Sequence, residues 1–353
     1  MSFPVILWCS NMPTIRDVAR YANVSVGTVS NVLNGSQLVK DETRQRVLEA
    51  IEALQFHPTA AARTLSTQRT NLIGMIRTEL RPQNQRIEID PMVLDLIEGI
   101  TAAAIESSIG LTFWTIPVGR KEMDVYKRVV NSRQVDGLIL FALRENDPRL
   151  AFLNEQEFPF VTFGRLDRQD TDNWIDLDST YGIELATRHL IELGHRRIGY
   201  IAPPSEQFLA RQRWQGFVNA MNAANLPIDH QLVQEGDFSE KSGQAAATLL
   251  LERAQPPTAI VCNNDRMAFG AMRAVQAHGL VVGQDVSVIG FDDLPTARYT
   301  HPPLTTISQP IHEIGSALFN LLVRYINRDA VAGLAGTLFK PELVVRQSTG
   351  FPP

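Results

Sequence analysis

The chain has 353 residues, 44% of them apolar, with 33 Lys and Arg against 38 Asp and Glu. That length favours a small module beside a larger one, and the apolar share is ample for a real core. A net charge of −5 excludes a polybasic protein, although sequence-specific DNA binding needs local charge and shape rather than a basic average.

The N-terminal apolar patch from Phe3 to Trp8 is too short for a membrane span. It also lacks the basic flank and cleavage site of a signal peptide. Residues 1–12 are expected to be a disordered extension. Cys9 and Cys262 have no partner spacing for metal or redox chemistry and read as free thiols in a reducing, cytoplasmic compartment.

Residues 14–33, TIRDVARYANVSVGTVSNVL, read as two short helices joined by a tight turn. Ile15 and Val18 give the first helix an apolar stripe, Ala19 allows close approach, and Asn23 and Val24 make the turn. Ser25 opens the second helix, whose Val29 and Leu33 are expected to point inward while Val26, Gly27 and Asn31 point away. A helix-turn-helix of this shape places its second helix in the DNA major groove. The spacing alone leaves an ordinary helical hairpin open. Val47, Ile51 and Leu54 then recur at helical spacing from about Asp41 to Gln55 and would close a three-helix core. Residues 1–65 are only mildly basic, so one copy should bind DNA weakly.

Pro58 stops the third helix and can occupy the first turn of another, Thr59 to Leu65. From Asn71 onward, strands and helices alternate. The expected strands are 72–76, 111–116, 136–141, 159–164, 174–178, 197–202, 231–236, 258–263 and 285–291. Helical stretches at 92–107, 179–193, 208–224, 239–253 and 265–278 lie between them. Apolar strands interleaved with helices indicate parallel sheets covered on both faces. Nine strands with a polar break at 164–174 fit two similar α/β lobes, with ligand in the cleft at the carboxyl ends of the strands. The expected domains are a headpiece at 13–57, a hinge and linker at 58–70, and a core at 71–350. Within the core, the first lobe covers about 71–172 and 307–338, and the second about 173–306 and 339–350.

The ordered blocks along the chain resemble one family. They begin with TIRDVA…ANVSVGTVSNVLNG, TRQRV, HPTAAARTL and NLIGMI. They continue with GHRRIGYI, RWQGF, NNDRMAFGAM, DVSVIGFDD, PPLTTISQP and LVVRQSTG. Over residues 13–350 the chain resembles the LacI/GalR family of bacterial transcription regulators. The resemblance implies an all-α helix-turn-helix headpiece on a two-lobed α/β core similar to a periplasmic sugar-binding protein. It further implies a homodimer that pairs two headpieces on a pseudo-palindromic double-stranded DNA operator. Tethering two half-sites raises their effective concentration, which offsets the weak local charge.

The same resemblance assigns residues. Val26, Gly27 and Asn31 match base-reading positions. Asn can pair bidentately with adenine and Val can touch a thymine methyl. Many members carry Arg at the position of Asn31, so operator preference departs here. Thr14, Ser25, Thr28, Ser30 and Asn34 match positions that contact the DNA backbone. The segment Thr59–Leu65 matches a hinge helix, with Ala62 facing the duplex and Leu65 as an apolar wedge in the minor groove. In the core, Arg213 matches the main effector contact, because a guanidinium fork can donate to vicinal hydroxyls or a carboxylate. Asp292, Asn264, Phe238 and Arg165 stand at strand ends facing the expected cleft, and Arg77 is a further candidate. An inter-lobe ion pair is the alternative role for Arg213 and Asp292.

The Gly164-Arg165 pair favours a carbohydrate effector, with a purine-like effector or an activator role as alternatives. A transport or chemotaxis binding protein would share the core but not the headpiece. His189, His195, His278, His301 and His312 are scattered, and there is no P-loop and no GxGxxG opening a first helix after strand one. No enzyme activity, cofactor, metal or membrane partner is therefore expected. The absence of leucine heptads near Pro353 argues against a tetramer built on a C-terminal coiled coil.

Overall fold

The computed structural model describes residues 13–33, 36, 38–56, 69–78, 90–105, 107–116, 122–166, 173–331 and 333–353. They form two compact units, one of residues up to Leu72 with 132–136, the other of Ile73–Asn131 and Gly137–Pro353.

The first unit carries three helices, α1 (Ile15–Tyr21), α2 (Val26–Leu33) and α3 (Asp41–Ala53). Thr14 opens α1, and the Asp17 carboxylate accepts both its backbone N–H at 2.9 Å and its hydroxyl at 2.7 Å. Those bonds lower the Asp17 pKa and satisfy a donor left free at the helix start. Asn23 takes the left-handed conformation (φ 53°), and the Val24 N–H donates to the Ala19 carbonyl at 2.9 Å, closing α1. The Ser25 hydroxyl accepts from the Thr28 N–H at 3.1 Å and caps α2. Val18, Ala19, Ala22, Val29, Val32, Val47, Ala50 and Phe56 form the core. The inward pair on α2 is therefore Val29 and Val32, whereas Leu33 is 37% exposed. An i, i+3 step keeps both valines on the stripe facing α1 and α3, and the next residue turns away from it.

The second unit begins with β1 (Leu72–Thr78), α4 (Pro91–Ala104), β2 (Gly110–Ile116), α5 (Glu122–Asn131) and β3 (Gly137–Leu140). It continues through α6 (Pro148–Glu155), β4 (Phe160–Phe163), β5 (Trp174–Leu177), α7 (Ser179–Glu192) and β6 (Ile198–Ala202). Next come α8 (Phe208–Ala223), β7 (Val233–Glu235), α9 (Glu240–Leu251), β8 (Ala259–Cys262) and α10 (Asp265–Ala277). The last elements are β9 (Ser287–Asp292), β10 (Thr305–Ser308), α11 (Ile311–Asn327), β11 (Thr337–Phe339) and β12 (Glu342–Val344).

Among the described residues these strands make two six-stranded sheets, ordered β11-β5-β4-β3-β1-β2 and β12-β10-β9-β8-β6-β7. Strands β3 and β8 are buried throughout, as expected when helices cover both faces of a parallel sheet. In the second sheet β12 pairs antiparallel with β10. The order reverses between β1 and β3, and again between β6 and β8, leaving a crevice at the carboxyl ends of those strands.

Strand β5 pairs with β4 and β11, so residues 174–177 belong to the first lobe rather than the second. Strand β10 pairs with β9 and lies wholly in the second. Residues 164–166 leave β4 and residue 173 leads into β5, both strands of the first lobe, so the crossing to the second follows β5. Helices close the lobes at short range. A Cβ on Gly99 of α4 would stand 2.0 Å from the His312 carbonyl oxygen, and one on Gly315 of α11 would stand 2.4 Å from that of Leu96.

Candidate functional site

In the first unit, the outward face of α2 presents Val26 (42% exposed), Gly27 and Asn31. A Cβ at Gly27 would meet only the Ser25 hydroxyl at 3.6 Å, so that face is open. The Ser25 and Thr28 hydroxyls bond to one another at 2.9 Å, and Thr14 is tied to Asp17, so these groups are pre-oriented at the helix starts. Ser30 is half-buried. Asn34, Ala62 and Leu65, with the rest of the expected hinge helix, lie outside the described residues.

In the second unit a cavity of about 420 Å³ opens where the strand ends of both lobes meet. Arg77, Arg165, Arg213, Phe238, Asn264 and Asp292 all line it. Arg213 and Asp292 both belong to second-lobe elements, α8 and the end of β9, so they do not form an inter-lobe ion pair. The Arg213 guanidinium is stacked 3.9 Å from the centre of the Phe291 ring, and Nη1 donates to the Asn263 carbonyl. Its Nε is buried without a hydrogen-bond partner. Burial pulls its pKa down, while Asp292 opposes the shift.

Asp292 reaches the cavity through a strained turn. It and Asp293 have φ of 128° and 55°. The surroundings hold this turn, which an L-residue rarely adopts. Arg346 pairs with Asp293 at 2.6 Å, the buried Asp265 accepts from the Leu294 N–H at 2.7 Å, and Gln309 donates to Asp292 at 2.5 Å. Burial, then Asp265 and Asp90, push the Asp292 pKa well above the carboxylate range against the pull of Arg213.

Asn264 has a structural duty beside any ligand role. Its Oδ1 accepts from the Met267 N–H at 2.8 Å, capping α10, and its Nδ2 donates to the Phe238 carbonyl at 3.1 Å. It thereby fixes Phe238, whose backbone is left-handed (φ 65°), with its ring at the cavity wall. Across the cavity, Arg165 lies 5.3 Å from the Trp174 ring centre with its Nε 3.4 Å from Asp176.

Sequence reasoning missed Asp176, Gln309 and Gln212, and also Glu122, Arg144 and Arg149 of an ionic group in the first lobe, all lining the same space. In that group Glu122 pairs with Arg144 and stands 3.7 Å from Arg149, which pairs with buried Asp147 at 2.5 Å. Bonding to Arg149 holds the Asp147 carboxyl low although burial works to raise it. Asp176 carried a usable signal, because a carboxylate inside an apolar strand, WIDL, is an anomaly. The partners of Glu122 come from separate elements, and nothing local announces them.

Arranged in this way, the cavity can hold a small ligand by forked donation, carboxylate acceptance and ring contact. No group of three His, Cys, Asp or Glu among the described residues could hold a metal ion. No described helix is long and apolar enough to cross a membrane.

Residues 14–59 match the model of bacterial regulatory proteins of the lacI family, and residues 187–349 match that of the periplasmic binding protein-like domain. The transcriptional regulator CelR of Thermobifida fusca is 36% identical over 95% of this chain and 98% of its own length. The chain belongs to the LacI family.

The transcriptional repressor PurR of Photorhabdus laumondii is likewise 36% identical, over 96% of this LacI-family chain and 97% of its own. Among solved structures, a CelR–cellobiose complex superposes with a TM-score of 0.72 at 32% identity, covering 96% of this chain and all (100%) of that one. The lac repressor dimer bound to operator and the anti-inducer ONPF superposes at 0.82 with 28% identity, over 96% of this chain and 100% of that one.

Proposed function

We propose that this LacI-family chain is a transcriptional repressor whose affinity for a pseudo-palindromic operator is set by a sugar bound in the core. It acts as a homodimer in the cytoplasm, and it has no enzymatic role. The observation that carries this reading is the convergence of stacked Arg213, turn-held Asp292 and the Phe238 ring on one cavity. Guanidinium and carboxylate suit the donor and acceptor faces of a polyol, and a ring face suits its C–H surface. The cellobiose bound by CelR supports the sugar assignment.

The likeness to PurR repressors keeps a purine base as the second reading, since Phe238 could stack on one. Effector binding would change the angle between the lobes and so the spacing of the two headpieces on DNA. A coupling of about 1–3 kcal/mol gives roughly 5–150-fold regulation. The test is a thermal-shift panel of mono- and disaccharides alongside purine bases. A rise in Tm with a sugar is the expected result. A rise with purines alone would replace the sugar by a base.

A further inference from the structure

Asp176 is a cavity-lining carboxylate that its strand does not explain. Strand β5 is otherwise apolar and runs between β4 and β11, with Asp176 opposite Leu338. The residue is 5% exposed. Its Oδ1 accepts from the Leu177 N–H at 2.8 Å, but Oδ2 is buried without a hydrogen-bond partner. Arg165 approaches Oδ2 only to 3.4 Å and is itself 42% exposed and drawn towards Trp174. From the second lobe, Gln212 of α8 brings its side chain against the carboxyl, and Arg213 lies within electrostatic range.

Buried carboxylates are normally saturated with donors, and an apolar residue of similar volume would serve the strand at least as well. An unsaturated oxygen lining the cavity is what a ligand donor would complete.

We propose that Asp176 is the first-lobe anchor of the effector, accepting an effector hydroxyl on Oδ2 while Arg213 and Asp292 hold the ligand from the second lobe. The effector then bridges the lobes and steadies their closed arrangement. This rests on reading the cavity as a polyol site. The charge state of Asp176 bears on it. Burial raises its pKa to about 6, and Asp178 adds to the rise, while the Leu177 N–H, Arg165 and Gln212 oppose it. A carboxylate acceptor is therefore lost below that pH.

The test compares Asp176→Asn with the parent as full-length chains. Without ligand, the variant should unfold at the same temperature or higher, because relief from burying a charge offsets the loss of the partly exposed Arg165 contact. With whichever panel sugar raises the parent Tm, the variant should bind at least about tenfold more weakly, one charged hydrogen bond's worth. The fall in affinity from about pH 7.5 to about pH 5.5 should also be smaller in the variant than in the parent. A ligand-free Tm lowered by several degrees, or unchanged sugar affinity, would make Asp176 a structural partner of Arg165 and overturn the proposal. If no panel sugar shifts the parent, the sugar reading fails, and the ligand-free comparison still decides the role of Asp176.

Discussion

Arg213 shows how a single residue joins fold and function. Its side chain is spent on a ring stack and one carbonyl, which leaves part of the fork facing ligand space. Arg213→Ala should weaken effector binding about 10–100-fold, the worth of a charge-assisted hydrogen bond, as read by calorimetry. Arg213→Lys should recover little of it, since an ammonium supplies neither the planar stack nor the fork. Gly27 offers the complementary case on the headpiece. With nothing nearer than 3.6 Å, Gly27→Ala should fit and stabilise α2 by about 0.5–1 kcal/mol in denaturant titration. It should also change which operator is preferred.

Arg213 was legible through the family resemblance carried by RWQGF, and Asp292 because it ends an apolar strand. Asp176 was readable as a carboxylate inside an apolar strand, but its place beside the cavity depends on pairing across the sheet. The contacts of Glu122 with Arg149 and of Asp265 with Leu294 and Thr306 were not legible, because they join sequence-distant residues.

At the scale of elements, local spacing located α1, α2, α3 and most core strands. It misjudged α2 by one position. Val32→Ala should destabilise the headpiece by about 1–3 kcal/mol, whereas Leu33→Ala should stay within about 0.5 kcal/mol, measured by chemical denaturation. Equal losses would reverse the orientation of α2. Helix α11 carried a readable signal in Ile311, Ile314, Leu318 and Leu322, all buried, that would have found it. Strands β11 and β12 are three residues each and exist through their neighbours, so no periodicity could announce them. The lobe to which β5 belongs is likewise a matter of pairing across the sheet.

Close helix contacts are just as invisible in one sequence, and they make a firm prediction. Gly99→Ala puts a methyl group into the backbone of α11 and should cost about 1–3 kcal/mol in core stability.

At the scale of the whole molecule, buried titratable groups set a pH dependence. Burial raises Asp176 to about 6 and Asp265 to about 7, and Asp292 rises as well. A carboxyl with a folded-state pKa above its unfolded value stabilises fully below the unfolded value and loses that effect as pH rises through the folded one. His189 and His195 are lowered by burial, so their contribution is lost as pH falls through the folded-state value, below 6.5. The core should therefore melt higher near about pH 6 than at about pH 8 in thermal scans without effector. A higher melting point at about pH 8 would show that these carboxyls are solvated or saturated.

The central claim is that cavity occupancy controls DNA affinity. Its most direct measurement uses fluorescence anisotropy on a duplex selected from random sequence by the full-length chain, titrated with and without the sugar that raises Tm. The account predicts a change in operator affinity of about fivefold or more in the parent protein and none in Arg213→Ala. A sugar that binds the parent yet leaves its operator affinity unchanged would contradict it.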